Sequence, residues 1–173
     1  KIGISYANLV DLFFYTILSA IIGSRILFVW IHFDDYRQNP MQIFKLWEGG
    51  LVFYGGLILA IGVSLWYMRW HRLPMWKVAD LISPLIALGL FFGRIGCFFA
   101  GCCYGKETSL PWGVVFKNPD SLARLNVPIH PTQLYDAANG LAIFLFLNWM
   151  ERRKTFEGQL FWLFLFLYAM TRF

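Results

Sequence analysis

Three arginines stand inside apolar stretches, where a cation has little water to meet: Arg25, Arg94 and Arg172. An arginine within a membrane span costs a few kcal/mol on insertion scales, so a buried one faces a partner, a cavity or a ligand. Arg94 sits in Gly93-Arg94-Ile95-Gly96-Cys97-Phe98-Phe99-Ala100-Gly101-Cys102-Cys103-Tyr104-Gly105, where glycines let backbone approach closely around one guanidinium. Guanidinium pairs bidentately with phosphate, so the combination favours a phospholipid headgroup. Pairing of Arg94 with Asp11, Asp80 or Asp136 is the open alternative, and for Arg172 so is snorkelling to the interface.

Two further polar segments interrupt the apolar pattern, Tyr54-Gly55-Gly56 and Ile129-His130-Pro131-Thr132-Gln133-Leu134-Tyr135-Asp136. A tyrosine at an interface serves as an aromatic-belt anchor, and a histidine before proline can cap the next helix. Their expected convergence with Arg94 on one side of a bilayer makes a site the stronger reading. Cys97, Cys102 and Cys103 allow a disulfide if they face an oxidising compartment. Zinc is disfavoured because vicinal cysteines with one other thiol lack the paired spacing of a structural site. Packing as small hydrophobes is the simplest role for them.

Long apolar stretches must carry these residues. The chain is 58 % hydrophobic and 14 % charged, against about 25 % charged for soluble domains. A mean hydropathy of +0.55 argues against a water-soluble globule, and the short alternating segments of an outer-membrane barrel are absent. The expected class is all-α, a multi-pass helical membrane protein with about five spans. These run over Val10–Phe33, Leu51–Trp70, Val78–Ala100, Leu134–Met150 and from Gly158 to the end. Arg69, Arg72 and Lys77 mark one basic loop, and Arg152, Arg153 and Lys154 another, so both are expected on the cytoplasmic side. Residues 34–48 and 101–131 then lie outside. Asn39-Pro40 followed by Ile43, Phe44, Lys45, Leu46, Trp47 and Glu48 suggests an interfacial helix, with an ordinary polar loop as the alternative. Residues 1–173 are expected to form one transmembrane domain with 101–131 as an outer loop segment. The start at Lys1 and a last apolar run shorter than a hydrocarbon core suggest an internal fragment of a longer protein.

The sequence resembles the prolipoprotein diacylglyceryl transferases of the bacterial inner membrane, over nearly its whole length. The segment Gly93–Gly105 is similar to the family signature G-R-I-G-N-F-x-N-G-E-x-x-G, with Arg94, Gly96, Gly101 and Gly105 retained. Tyr54-Gly55-Gly56 resembles the family's H-G-G, residues 130–136 resemble its H-P-[ST]-Q-L-Y-E, and Arg172 falls where a functional arginine follows in the last span. The departures are Tyr54 for the histidine, Cys97 and Ala100 for the asparagines, and Cys102 for the glutamate. Phosphate recognition therefore carries over better than proton handling, and a family span upstream of Lys1 is implied.

The resemblance implies transfer of the diacylglyceryl group of phosphatidylglycerol to the lipobox cysteine of a prolipoprotein, with glycerol phosphate leaving. Arg94 contacts the lipid phosphate in the family; Arg94 and Arg172 are the expected stabilisers of the departing charge. His130 is the histidine on the outer side near the site, since His71 is cytoplasmic and His32 borders the first loop. Tyr54 offers a phenol, a poor base at neutral pH. Arg25, Gly55, Gly56, Gly96, Gly101, Gly105, Gln133 and Tyr135 complete the expected substrate-binding set. The expected partners are phosphatidylglycerol, the prolipoprotein signal peptide and membrane lipid, with no nucleic acid, metal or cofactor, and the site faces the outer leaflet. The alternative is a divergent paralogue that binds phospholipid or acts through thiol redox at Cys97, Cys102 and Cys103.

Overall fold

A computed structural model describes residues 5–172 apart from 39, 46 and 48; at 35, 38 and 40 it describes the backbone alone. The elements are α1 (Tyr6–Ile31), α2 (Phe33–Gln38), a 3-10 turn (Pro40–Phe44), α3 (Phe53–Trp70), α4 (Met75–Ala100), α5 (Thr132–Glu151) and α6 (Gln159–Arg172). The five long helices coincide with the five expected spans. Of these, α1 and α4 are long and apolar enough to cross a membrane. At 14 residues α6 rises only about 21 Å as far as it is described. In place of the expected interfacial helix, the described residues show a 3-10 helix over Pro40–Phe44 and 3-10 geometry again at Trp47; Met41, Phe44 and Trp47 are exposed, and Asn39, Leu46 and Glu48 lie outside the described residues. The chain forms two compact units, Lys1–Met75 and Trp76–Phe173.

The first unit is an antiparallel pair of α1 and α3. Leu12, Ser19, Gly23 and Ser24 are buried on α1, a stripe of mostly small residues that lets two backbones meet. A Cβ added at Gly23 would strike the Gly55 carbonyl, and one at Gly55 would strike the Gly23 carbonyl, so neither helix can carry a side chain at the crossing. A hydroxyl pair, Thr16 Oγ1 to Ser64 Oγ at 2.7 Å, and a longer bond from the Tyr67 hydroxyl to Asp11 Oδ2 at 3.5 Å continue the seam. Away from it, Phe14, Ile17 and Ile26 stand exposed, as suits a surface solvated by lipid.

The second unit packs α4, α5 and α6 around Ala87, Ile143, Leu147, Leu160 and Phe164. Gly140 brings α5 against α4, where an added Cβ would lie 3.1 Å from the Ala87 carbonyl oxygen. Asp80, 1 % exposed, organises the opposite end. It accepts the Gly158, Leu160 and Phe161 amides at 2.8, 2.9 and 3.2 Å, capping the start of α6, and pairs with Lys154 at 3.4 Å. A carboxylate belongs there because the first amides of a helix lack partners and carry partial positive charge.

Residues 101–131 link α4 to α5 without helix. Short backbone pairings hold them together: Val114 and Ile129 exchange amide bonds at 3.0 Å, Thr108 donates to Pro128, and His130 donates to Lys106. Ile129, 1 % exposed, is the apolar centre of this segment. Four prolines remove donors, so the pairing stops at isolated bridges rather than a sheet.

Candidate functional site

Within the second unit the ends of α4, α5 and α6 bring Arg94, Asp136 and Arg172 together. Arg94 Nη2 lies 3.1 Å from Asp136 Oδ2, and Arg172 Nη1 lies 3.8 Å from the same oxygen. Helical spacing explains the convergence. Asp136, Asn139, Gly140 and Ile143 fall at i, i+3, i+4 and i+7 on one face of α5, Leu90 and Arg94 lie one turn apart on α4, and Tyr168, Thr171 and Arg172 close the cleft from α6. Two guanidiniums share one carboxylate, leaving a net charge of +1 in a half-buried site. A singly charged phosphodiester would neutralise it while taking the N–H donors that Asp136 does not occupy. The cleft holds about 20 Å³ of space, enough for one water, so a headgroup enters only by loosening the ion pair.

His130 lines a different depression. Its Nδ1 is 3.3 Å from the Tyr135 hydroxyl, and with Leu110, Trp112, Val114, Pro131 and Leu134 these two residues border an apolar bowl of about 690 Å³. No residue lines both hollows, although Tyr135 and Asp136 are neighbours in the chain. Within this unit Arg94 and Arg172 converge on one cleft, while His130 and Tyr135 border a second, apolar hollow beside the start of α5.

The glycines around Arg94 differ in role. Gly101 has a φ of +69°, ending α4 in a left-handed turn, and a Cβ there would collide with the Ser121 hydroxyl. At Gly105 a Cβ would lie 2.7 Å from Thr132 Cγ2 and 2.8 Å from His130 Cβ, so glycine lets the loop reach the His130 carbonyl. At Gly93 and Gly96 an added Cβ meets nothing within 4 Å among the described residues, so the close approach expected at all four positions holds only beyond the helix end. Gln133 is fully buried; its Nε2 donates to the Cys102 carbonyl at 2.7 Å, while its Oε1 is buried with no hydrogen-bond partner among the described residues. Cys97, Cys102 and Cys103 are free thiols. Burial, and hydrogen bonding among the neighbouring thiols, push the Cys102 thiol up to about 11, which keeps it protonated and weakly nucleophilic at neutral pH.

In the first unit Arg25 is 6 % exposed and already engaged. Its Nε donates to Ile43 O at 2.8 Å, Nη1 to Gly49 O and Gly50 O at 2.7 and 3.1 Å, and Nη2 to Gln42 O and Lys45 O at 2.7 and 3.3 Å. A guanidinium has five N–H donors, so none remains for a phosphate. These bonds fasten Gln42, Ile43, Lys45, Gly49 and Gly50 to α1, and the guanidinium is flanked by the Phe28 and Tyr36 rings. Gly55 and Gly56 serve the crossing of α1 and α3, and Tyr54 lies exposed in the first turn of α3 against Phe53.

Asp136 is the residue that sequence reasoning left out of the site, admitting it only as one of three possible counter-ions. Its signal was present: it closes the 130–136 motif and heads a polar i, i+3 pair with Asn139, just before the apolar stretch 140–147.

The family model described as prolipoprotein diacylglyceryl transferase matches residues 1–173. Among curated relatives, the chain is 39 % identical over 165 residues to a protein of Aeromonas salmonicida, covering 94 % of this chain and 58 % of the relative. It is 39 % identical over 168 residues to one of Bordetella bronchiseptica (96 % and 63 %) and 41 % identical over 167 residues to one of Nitratidesulfovibrio vulgaris (94 % and 61 %). All three are described as phosphatidylglycerol–prolipoprotein diacylglyceryl transferases. The chain spans about three fifths of the length of these relatives.

Proposed function

Because the chain belongs to the prolipoprotein diacylglyceryl transferase family, we propose that the protein moves the diacylglyceryl group of phosphatidylglycerol to the lipobox cysteine of prolipoproteins, the first step of bacterial lipoprotein maturation. It acts in the inner membrane as a multi-pass protein, with the site open to the outer leaflet and the prolipoprotein signal peptide presented from the bilayer. The observation that carries this reading is the cluster of Arg94 and Arg172 on Asp136.

In this reaction the lipobox thiolate attacks the glycerol carbon that bears the phosphate. A carbon–sulfur bond forms, the carbon–oxygen bond breaks, and glycerol phosphate leaves with the electron pair. Charge grows on the phosphate as the bond breaks, and two guanidiniums stabilise that charge more than they stabilise the diester. Asp136 holds both arginines in place when lipid is absent and yields donors to the phosphate when it arrives. The thiol proton must leave before or during attack. His130 is the outer-side imidazole suited to accept it, and the Tyr135 hydroxyl, 3.3 Å from Nδ1, orients its ring. The apolar bowl beside it suits the hydrophobic part of a signal peptide. Arg25 acts at one remove, as a positioning residue.

The test is release of glycerol phosphate from labelled phosphatidylglycerol in the presence of a lipobox peptide. Release that depends on the peptide cysteine, with the label transferred to the peptide, supports the reading. Lipid binding without transfer overturns it in favour of a binding paralogue.

A further inference from the structure

The three cysteines are not used by the proposed reaction, and two of them stand where the family signature has asparagine and glutamate. We propose that Cys97, Cys102 and Cys103 form a three-sulfur binding site for a thiophilic divalent cation of the zinc class.

Their sulfur atoms all lie within 4.8 Å of one another. Thiolates on a tetrahedral zinc ion, at Zn–S near 2.3 Å, stand about 3.8 Å apart, so the three must close by at most about 1 Å. The spacing in the sequence does not foretell this proximity; the turn creates it. Cys97 lies in the last turn of α4, the Cys102 amide bonds back to the Cys97 carbonyl at 3.1 Å, and the chain goes left-handed at Gly101 and again at Cys103, with φ of +69° and +56°. A non-glycine residue with positive φ is uncommon. Here it accompanies a coil tight enough to gather three thiols from seven residues.

Side chains at the start of α5 hold the turn in place. The fully buried Gln133 amide holds the Cys102 carbonyl at 2.7 Å, tying the turn to α5. Thr132 Oγ1 holds the Cys103 carbonyl at 2.9 Å in the same way. Thiolate ligands select zinc-like ions over magnesium or calcium, which require oxygen. Among the described residues no histidine or carboxylate joins the cluster, so one position of a tetrahedral ion stays open to a water or an external thiol. The site stands on this geometry alone, independently of the transferase reading.

The test uses the full-length protein in detergent micelles, reduced, treated with chelator and titrated with Cd2+, whose thiolate complexes absorb in the ultraviolet. Saturable binding of one ion per chain, displaced by Zn2+, is expected. Cys97→Ser, Cys102→Ser and Cys103→Ser should each weaken binding by more than the roughly 10- to 100-fold that losing an outer-shell partner costs. Should a variant fail to fold, the wild-type protein decides: capping its thiols with methyl methanethiosulfonate should abolish binding, and reductant should restore it. The proposal is overturned by no saturable Cd2+ binding, by binding that survives capping, or by wild-type affinity in a folded Cys97→Ser protein. It is equally overturned if the thiols pair as a disulfide in air and the reduced form takes up no ion.

Discussion

Asp136 ties two arginines that a reading of each residue alone would treat separately. Arg94 is thereby both a counter-ion and a candidate phosphate clamp, and Arg94→Lys separates the roles. Lysine keeps the charge that Asp136 needs, but its compact ammonium cannot reproduce a planar bidentate contact. If Arg94 grips the departing phosphate, losing one charge-assisted hydrogen bond costs about 1.5–3 kcal/mol, a ten- to more than a hundredfold drop in transfer rate. We expect that drop at unchanged membrane abundance. A wild-type rate in the lysine variant, measured by glycerol phosphate release, would leave Arg94 as a structural counter-ion. The residue scale was partly legible: Arg94 and Arg172 stood out because charge is costly among apolar neighbours. Arg25 stood out for the same reason, yet its cost is met by five backbone carbonyls, a solution no side-chain pattern announces.

Helix pairing and capping set the next scale. At the crossing of α1 and α3 each glycine faces the other's carbonyl, whereas Gly62 on α3 has nothing within 4 Å of an added Cβ among the described residues. Gly23→Leu is therefore expected to lower the thermal midpoint in detergent, by overpacking of about 1–3 kcal/mol or more. Gly62→Ala should leave the midpoint unchanged or raise it, since alanine favours helix by about 1 kcal/mol over glycine. Equal effects of the two would mean that the crossing does not depend on close backbone approach. Asp80 offers a second check, because it is buried against three amides and Lys154. Asp80→Ala strands these groups and should cost about 3–5 kcal/mol, read as early unfolding of α6 by hydrogen exchange at residues 158–161. Full protection of those amides in the variant would show that α6 starts without the cap.

At the scale of the whole molecule, the two basic loops predict orientation. Lys77 and Glu157 pair at 3.1 Å, so within the second unit the start of α4 and the α5–α6 loop share one end, opposite the Arg94 cluster. If the positive loops are cytoplasmic, that cluster is expected at the outer leaflet. Single Arg153→Cys and Lys117→Cys substitutions, with native thiols blocked beforehand, should label oppositely in intact cells: position 117 with an impermeant reagent, position 153 only after permeabilisation. Labelling of 153 from outside would invert the topology and remove the outer-leaflet site.

By itself the sequence determined the helical class, the positions of five long helices and the residues whose charge demands an explanation. Each of these follows from local quantities: run length, hydropathy and the cost of an isolated cation in an apolar medium. Only the tertiary structure decided which partner each charge takes. Arg25 turned to backbone carbonyls, Arg94 and Arg172 to one carboxylate, and Asp80 to the amides of a helix 78 residues away. It likewise decided that residues 101–131 fold as a hydrogen-bonded segment and that three cysteines without paired spacing share one turn. The reason is physical: polar groups out of water take whichever complementary group the packing brings within about 3 Å, and sequence distance carries almost no information about that choice.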